Sequence, residues 1–92
     1  MKTIIILGAG RSGIGCALLA QANGYNVFVS DRNKINETVR NQLSEHNIEF
    51  EENSHKKAFK MRPDIVIKSP GIPDSSEIAT SFLNNEIKVI SE

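Results

Sequence analysis

Ile4-Ile5-Ile6-Leu7-Gly8-Ala9-Gly10-Arg11-Ser12-Gly13-Ile14-Gly15 carries the strongest fold signal in this chain. Its opening apolar run, mostly β-branched, reads as a central parallel strand covered on both faces. A G-x-G-x-x-G turn follows, and the Ala- and Leu-rich run behind it opens a helix. Gly8 allows the tight turn, Gly10 lets backbone approach a ligand without an intervening Cβ, and Gly13 lets the helix press on the sheet. Free N–H groups and a partial positive charge at the start of such a helix suit a diphosphate. The motif alone is unspecific. Here a strand precedes it, a helix follows it, and Asp31 closes the next strand 18 residues beyond Gly13, near the spacing at which an acid takes a ribose hydroxyl.

Outward from this stretch, strand and helix signals alternate. A helix is expected from Ser12 to about Asn23, with Gly24 as its stop and apolar residues almost all round it, hence heavy burial. Asn26–Ser30 reads as the second strand. Asn33 or Asn36 can cap a helix whose Ile35, Val39 and Leu43 form a narrow apolar stripe. Ile48–Glu51 reads as a weak edge strand, and Glu52–Arg62 as a loop with a short helix. Asp64–Ile67 is a further strand running into Ser69-Pro70-Gly71-Ile72-Pro73, where each proline keeps the residue before it out of the helical region. Asp74-Ser75-Ser76-Glu77 resembles a capping box ahead of the Ile78, Ala79, Phe82, Leu83 stripe, and Lys88–Ser91 is a last strand. The pattern predicts an α/β fold: a Rossmann-like open parallel sheet of about five strands, order 3-2-1-4-5, with helices on both faces. That order brings the Gly8–Gly13 loop, Asp31 and the Ser69–Gly71 loop to the carboxyl edge, beside the point where strand order reverses.

Composition narrows the function. With 92 residues the chain is expected to be one domain, 1–92. Eleven basic against eleven acidic residues leave no net charge, so nucleic acid and anionic membrane are not expected partners. A lone cysteine, Cys16, makes no internal disulfide, Met1-Lys2-Thr3 leads straight into a strand, and no apolar run spans a bilayer; a cytoplasmic domain is expected. His46 and His55 lack partners at metal-ligand spacing, Glu51-Glu52 reads as a solvated pair, and Cys16 as a buried, inert thiol. No catalytic constellation and no G-x-x-x-x-G-K-[ST] phosphate loop occurs. Among the loop residues, Ser12 can cap the helix and touch a phosphate as well, and Arg11 reads either as a solvated side chain or as a phosphate clamp. Asp31 serves a ribose or the local turn. Pro70-Gly71, at the end of a buried strand, permits close backbone approach to a ligand.

Read this far, the residues describe a site for a nucleotide diphosphate, with NAD as the default. The Ser69-Pro70-Gly71-Ile72-Pro73 element changes that. With Gly8–Gly13 and the closing Val89-Ile90-Ser91-Glu92, it resembles the N-terminal domain of the Mur ligases, and within them the MurD family. The resemblance covers essentially the whole chain. It implies the UDP-binding domain of an ATP- and Mg-dependent ligase. That ligase activates the alanyl carboxylate of UDP-N-acetylmuramoyl-L-alanine as an acyl phosphate for attack by D-glutamate, extending the peptidoglycan precursor. It also implies substrate contacts from Gly8, Gly10, Arg11, Ser12 and Gly13 at the diphosphate, from Asp31, Arg32 and Asn33 at the uridine, and from Pro70 and Gly71 along the same cleft. ATP, the metal and the catalytic residues belong, by the same resemblance, to central and C-terminal domains beyond these residues, so this chain is expected to bind and not to catalyse. The alternatives are an NAD-binding half of an oxidoreductase and a free-standing nucleotide-sensing module.

Overall fold

The computed structural model describes all residues, 1–92. Strands β1 (Thr3–Leu7), β2 (Asn26–Ser30), β3 (Glu49–Glu51), β4 (Ile65–Lys68) and β5 (Lys88–Ser91) form one sheet of order β3-β2-β1-β4-β5. Every neighbouring pair is parallel, with Ile5 opposite Phe28 on one side and Val66 on the other. The expected topology is the observed one. Helices α1 (Arg11–Ala22), α2 (Glu37–Glu45) and α3 (Glu77–Asn84) make the crossovers, with a 3-10 turn at Ala58–Lys60 in the connection before β4.

Period-two alternation divides the core. Ile4, Ile6, Val27 and Val29 face α1 and α2, where Ala17, Val39 and Leu43 meet them. Ile5, Leu7, Phe28 and Val66 face the other way, onto Ala58, Ile78 and Phe82. Each face therefore has its own apolar layer, as a parallel sheet requires.

The helices start and stop for local reasons. Asn36 caps α2 by accepting from the Thr38 N–H at 2.8 Å, and Ser76 caps α3 by accepting from Ala79 N–H at 3.3 Å. The cap of α3 is thus Ser76 itself, which makes Glu77 the first helical residue and not the third of a box begun at Asp74. Helix α1 is less buried than its composition suggests: Leu19 is 66% exposed and Cys16 and Leu18 are half-buried. The reason is coverage. α1 and α2 lie over β1–β3, while Ile65 and Ile67 at the β4 end of that face stay half-buried and Ile90 is exposed. Half-burial and the Glu92 carboxylate both push the Cys16 thiol above its ordinary value, so it stays protonated and unreactive although it is not enclosed.

Candidate functional site

The sheet ladders continue past the ends of their strands and tie the loops of the carboxyl edge together. Gly8 N–H donates to the Ser30 carbonyl at 2.9 Å, and Ser69 N–H to the Leu7 carbonyl at 2.9 Å. Gly8 sits at φ +97°, where only glycine is unstrained, and a Cβ there would lie 3.0 Å from Ser69 Cβ. The turn after β1 is therefore wedged between the loops after β2 and β4. Gly13 is needed for packing instead, because its Cα sits so closely on the turn that an added Cβ would stand 2.1 Å from the Gly8 carbonyl oxygen.

The start of α1 is open. Its N-cap, Gly10, provides no side-chain cap, no acidic residue lies in the first turn, and the N–H groups of Gly10, Arg11, Ser12 and Gly13 make no hydrogen bond. Ser12 is exposed and does not cap the helix, because the helix begins one residue earlier than expected. Arg11 is exposed beside it. A Cβ on Gly10 would meet nothing within 4 Å, so the fold itself does not demand glycine there. By contrast α2 and α3 have both a capping side chain and a first-turn glutamate. Unpaired donors with the positive end of the helix macrodipole make this end of α1 the place on the edge best suited to an anion.

Beside it lies a cleft of about 310 Å³. Five of the residues singled out from the sequence line it: Gly8, Asp31, Arg32, Asn33 and Gly71. Gly10, Arg11 and Ser12 sit at the open helix end outside the cleft wall, Gly13 is buried behind it, and Pro70 is exposed on the outer side of its loop. Asp31 is the joint between the two regions. Its Oδ2 accepts from Ala9 N–H and its Oδ1 from Asn33 N–H, each at 2.9 Å, so one carboxylate holds both the glycine turn and the turn after β2. The loop after β4 has its own brace. Lys68, only 5% exposed, donates from Nζ to the Ile72 carbonyl at 2.7 Å and Ser91 Oγ at 3.1 Å, and pairs with Asp74 at 3.3 Å. All three ammonium protons are thereby directed.

The remaining walls were not read from the sequence. Ile72, Pro73, Ser76, Glu77 and Ile78 come from the β4 loop and the start of α3; His55 and Phe59 come from the connection before β4. Glu51 and Glu52, expected as a solvated pair, are both half-buried braces. Glu51 accepts from Lys57 N–H and Ala58 N–H at 2.8 Å and from Ser30 Oγ at 2.8 Å, while Glu52 accepts from Ile35 N–H at 2.8 Å and pairs with Arg40 at 3.4 Å. Glu51 bonds Ser30 and Glu52 bonds Ile35 and Arg40, all 12 or more residues away, and Lys57 and Ala58 are reached only through the fold of the segment after Glu52, so spacing did not disclose them. Burial holds the His55 imidazole below its ordinary range and Arg32 adds to this; Glu51 and Asp31 pull the other way without prevailing.

A parallel α/β sheet with an uncapped, glycine-opened helix beside a cleft at the strand-order reversal defines a Rossmann-like domain with an anion-ready edge. Comparison with known proteins narrows the class: the model of the MurD N-terminal domain matches residues 3–78, and the chain belongs to that family. The UDP-N-acetylmuramoylalanine–D-glutamate ligase of Porphyromonas gingivalis strain W83 is 46% identical over 89 residues, covering 97% of this chain and 20% of that protein. The ligase of the same name from Christiangramia forsetii is 44% identical over 91 residues, covering 99% of this chain and 20% of its own length. Among solved structures, the murein peptide ligase from Psychrobacter arcticus superimposes with a TM-score of 0.85 at 27% identity, covering 97% of this chain and 18% of that one. The chain thus spans about a fifth of the length of the curated relatives it matches. No helix in it is long and apolar enough to cross a membrane.

Proposed function

We propose that these residues hold the uridine diphosphate end of UDP-N-acetylmuramoyl-L-alanine for a cytoplasmic, ATP-dependent ligase that joins D-glutamate to this peptidoglycan precursor. The observation that carries the reading is the open start of α1, with four unpaired N–H groups at residues 10–13, beside a cleft lined by Asp31, Arg32, Asn33 and Gly71 in a MurD N-terminal domain. The diphosphate lies on the helix end and the nucleoside in the cleft. Exposed Arg11 and Ser12 stand in the first turn of α1 and add side-chain contacts to the phosphates. Gly13, being buried, contributes only its backbone N–H. Pro70 acts by stiffening the loop that presents Gly71.

In this reading ATP and Mg are not held by these residues. The chain carries no G-x-x-x-x-G-K-[ST] loop, and no three His, Cys, Asp or Glu side chains converge on one point. In this reading they belong to the central and C-terminal domains of the whole ligase. The role left to these residues is positional: the anchored uridine diphosphate directs the alanyl carboxylate away from this edge, toward the reacting centre.

Titration with UDP, UDP-N-acetylmuramoyl-L-alanine and NAD, followed by amide chemical shifts, tests the reading. The uridine ligands are expected to move Gly10–Gly13, Asp31 and Gly71. A response to NAD alone would overturn it.

A further inference from the structure

His55 enters the cleft from a segment that carries no recognisable motif. Its Nδ1 lies 2.6 Å from Ser30 Oγ, and Ser30 is fully buried at the end of β2. The proton inventory around that serine decides the state of the ring. Ser30 Oγ carries one proton and has three neighbours: Glu51 Oε2 at 2.8 Å, His55 Nδ1 at 2.6 Å and the Ser54 carbonyl at 3.5 Å. Glu51 acts as an acceptor at both oxygens, Oε1 from Lys57 N–H and Oε2 from Ala58 N–H, and the second lone pair of Oε2 faces the serine. The serine proton must therefore go to Glu51; otherwise two acceptors would face each other at 2.8 Å in a buried place. That leaves Ser30 Oγ as an acceptor toward the ring, and Nδ1 must carry the hydrogen. The neutral imidazole then has a bare Nε2.

Nε2 makes no hydrogen bond within the protein, and it is not among the buried unpartnered atoms. It is therefore an accessible acceptor on a residue that lines the cleft, as does Phe59, which is 43% exposed. The charged groups around it are Glu51 from β3, Asp31 and Arg32 from the loop after β2, and Glu77 from the start of α3 across the cleft. The two oxygens of Asp31 already accept backbone N–H groups, so of these two cleft-lining acceptors only His55 Nε2 has no protein partner.

We propose that His55 is a ligand-binding residue, with Ser30 and Glu51 fixing its tautomer so that Nε2 accepts a hydrogen bond from a donor on the nucleoside. The proposal rests on the uridine diphosphate reading above. Two groups of a uridine can supply such a donor, the N3–H of the base and a ribose hydroxyl. Phe59, on the same segment, offers the apolar surface on which a flat base rests.

The test has two parts. In the protein labelled with ¹⁵N at histidine, the free His55 ring should show a protonated Nδ1 and a bare Nε2, and UDP should shift Nε2 upfield. A protonated Nε2, or an Nε2 unmoved by saturating UDP, overturns the proposal without any variant having to fold. Binding of UDP, N3-methyl-UDP and 2′-deoxy-UDP is then measured by calorimetry for wild type, His55→Asn and His55→Gln. Asparagine keeps a donor at the Nδ1 position and lacks the Nε2 position; glutamine retains an acceptor near Nε2. The expected result is that His55→Asn weakens UDP binding by about 3- to 10-fold, the range for one lost neutral hydrogen bond, and that His55→Gln restores part of it. One of the two analogues should lose the same factor against wild type and none further against His55→Asn, which identifies the donor. Equal UDP affinity of wild type and His55→Asn, or equal analogue losses in both, overturns the proposal and leaves the uridine diphosphate reading standing. No binding of UDP by wild type removes that reading and the role of His55 with it.

Discussion

Replacing Gly13 by alanine should unfold this domain more readily even though alanine is the better helix former. The added Cβ would lie 2.1 Å from the Gly8 carbonyl oxygen and 3.1 Å from its carbon. These are backbone atoms of a turn whose own N–H is bonded to the Ser30 carbonyl at 2.9 Å, so they cannot swing aside as a side chain would. Ordinary contact requires α1 to retreat from β1 by roughly 1.5 Å. That retreat loosens Ile14, Ala17 and Ala20, which are buried against the sheet. Overpacking of this kind costs about 1–3 kcal/mol, and a clash with backbone belongs at the upper end. The gain in helix propensity offsets about 1 kcal/mol. The net effect is a loss of about 2 kcal/mol, or a fall in Tm of roughly 10 °C for a domain of this size. Gly15 is the internal control. It lies in the same helix, is exposed, and a Cβ there meets nothing within 4 Å. Gly15→Ala should therefore stabilise by about 0.5–1 kcal/mol. Urea denaturation followed by far-ultraviolet circular dichroism reads both variants, with the m-value serving as the check on two-state behaviour. A Gly13→Ala protein as stable as wild type, or the two variants shifting in the same direction, would refute the packing argument.

Asp31→Ala leaves the buried Ala9 N–H without an acceptor and frees the Asn33 turn, so a stability loss of about 1–3 kcal/mol is expected in urea melts, with Asp31→Asn milder. The same variant should bind UDP weaker by about 1–3 kcal/mol; an unchanged Kd removes Asp31 from the site. Glu51→Ala takes the acceptor from Lys57 N–H, Ala58 N–H and Ser30 Oγ together, and the amides of residues 55–60 should lose hydrogen-exchange protection before the rest of the sheet. Protection retained there would mean the 3-10 turn stands without its carboxylate. Finally, the folded His55 has its pKa lowered from 6.5, so below that value the unfolded chain binds the proton more readily and stability falls with pH until the folded ring also titrates. The urea midpoint should drop as pH falls through the unfolded value of 6.5, and His55→Asn should show a smaller drop. An identical drop in both proteins would show that His55 does not contribute.

Much of this molecule was legible in the sequence because its signals are local. Strand alternation, the glycine turn, the asparagine ahead of α2 and the prolines after β4 each act through neighbours within a few residues, so strand order and the place of Gly8, Asp31 and Gly71 at the carboxyl edge followed from pattern, while Arg32 and Asn33 came only from the family resemblance. The misreadings have two causes. Ser12 failed as a cap because pattern alone places a helix start only to within a residue or two, and the α3 cap moved from Asp74 to Ser76 for the same reason. Leu19 is exposed because no element covers the β4 end of its face, a matter of coverage that composition cannot express.

The parallel sheet, its order and the glycine turn at its edge can be read from the residues alone, since backbone hydrogen bonding and apolar periodicity leave few other arrangements. What Glu51, Glu52, Lys68 and His55 do is visible only in the folded chain. Glu51 meets Ser30, and Ser30 meets His55, across more than twenty residues of chain. Lys68 reaches Ser91 across a strand pair. Polar side chains have no periodicity to betray their partners; the fold must first bring those partners within about 3 Å, the reach of a hydrogen bond. The glycine turn supplies only one edge of the cleft; the other walls, from His55 and Phe59, the β4 loop and the start of α3, are brought to it by the fold.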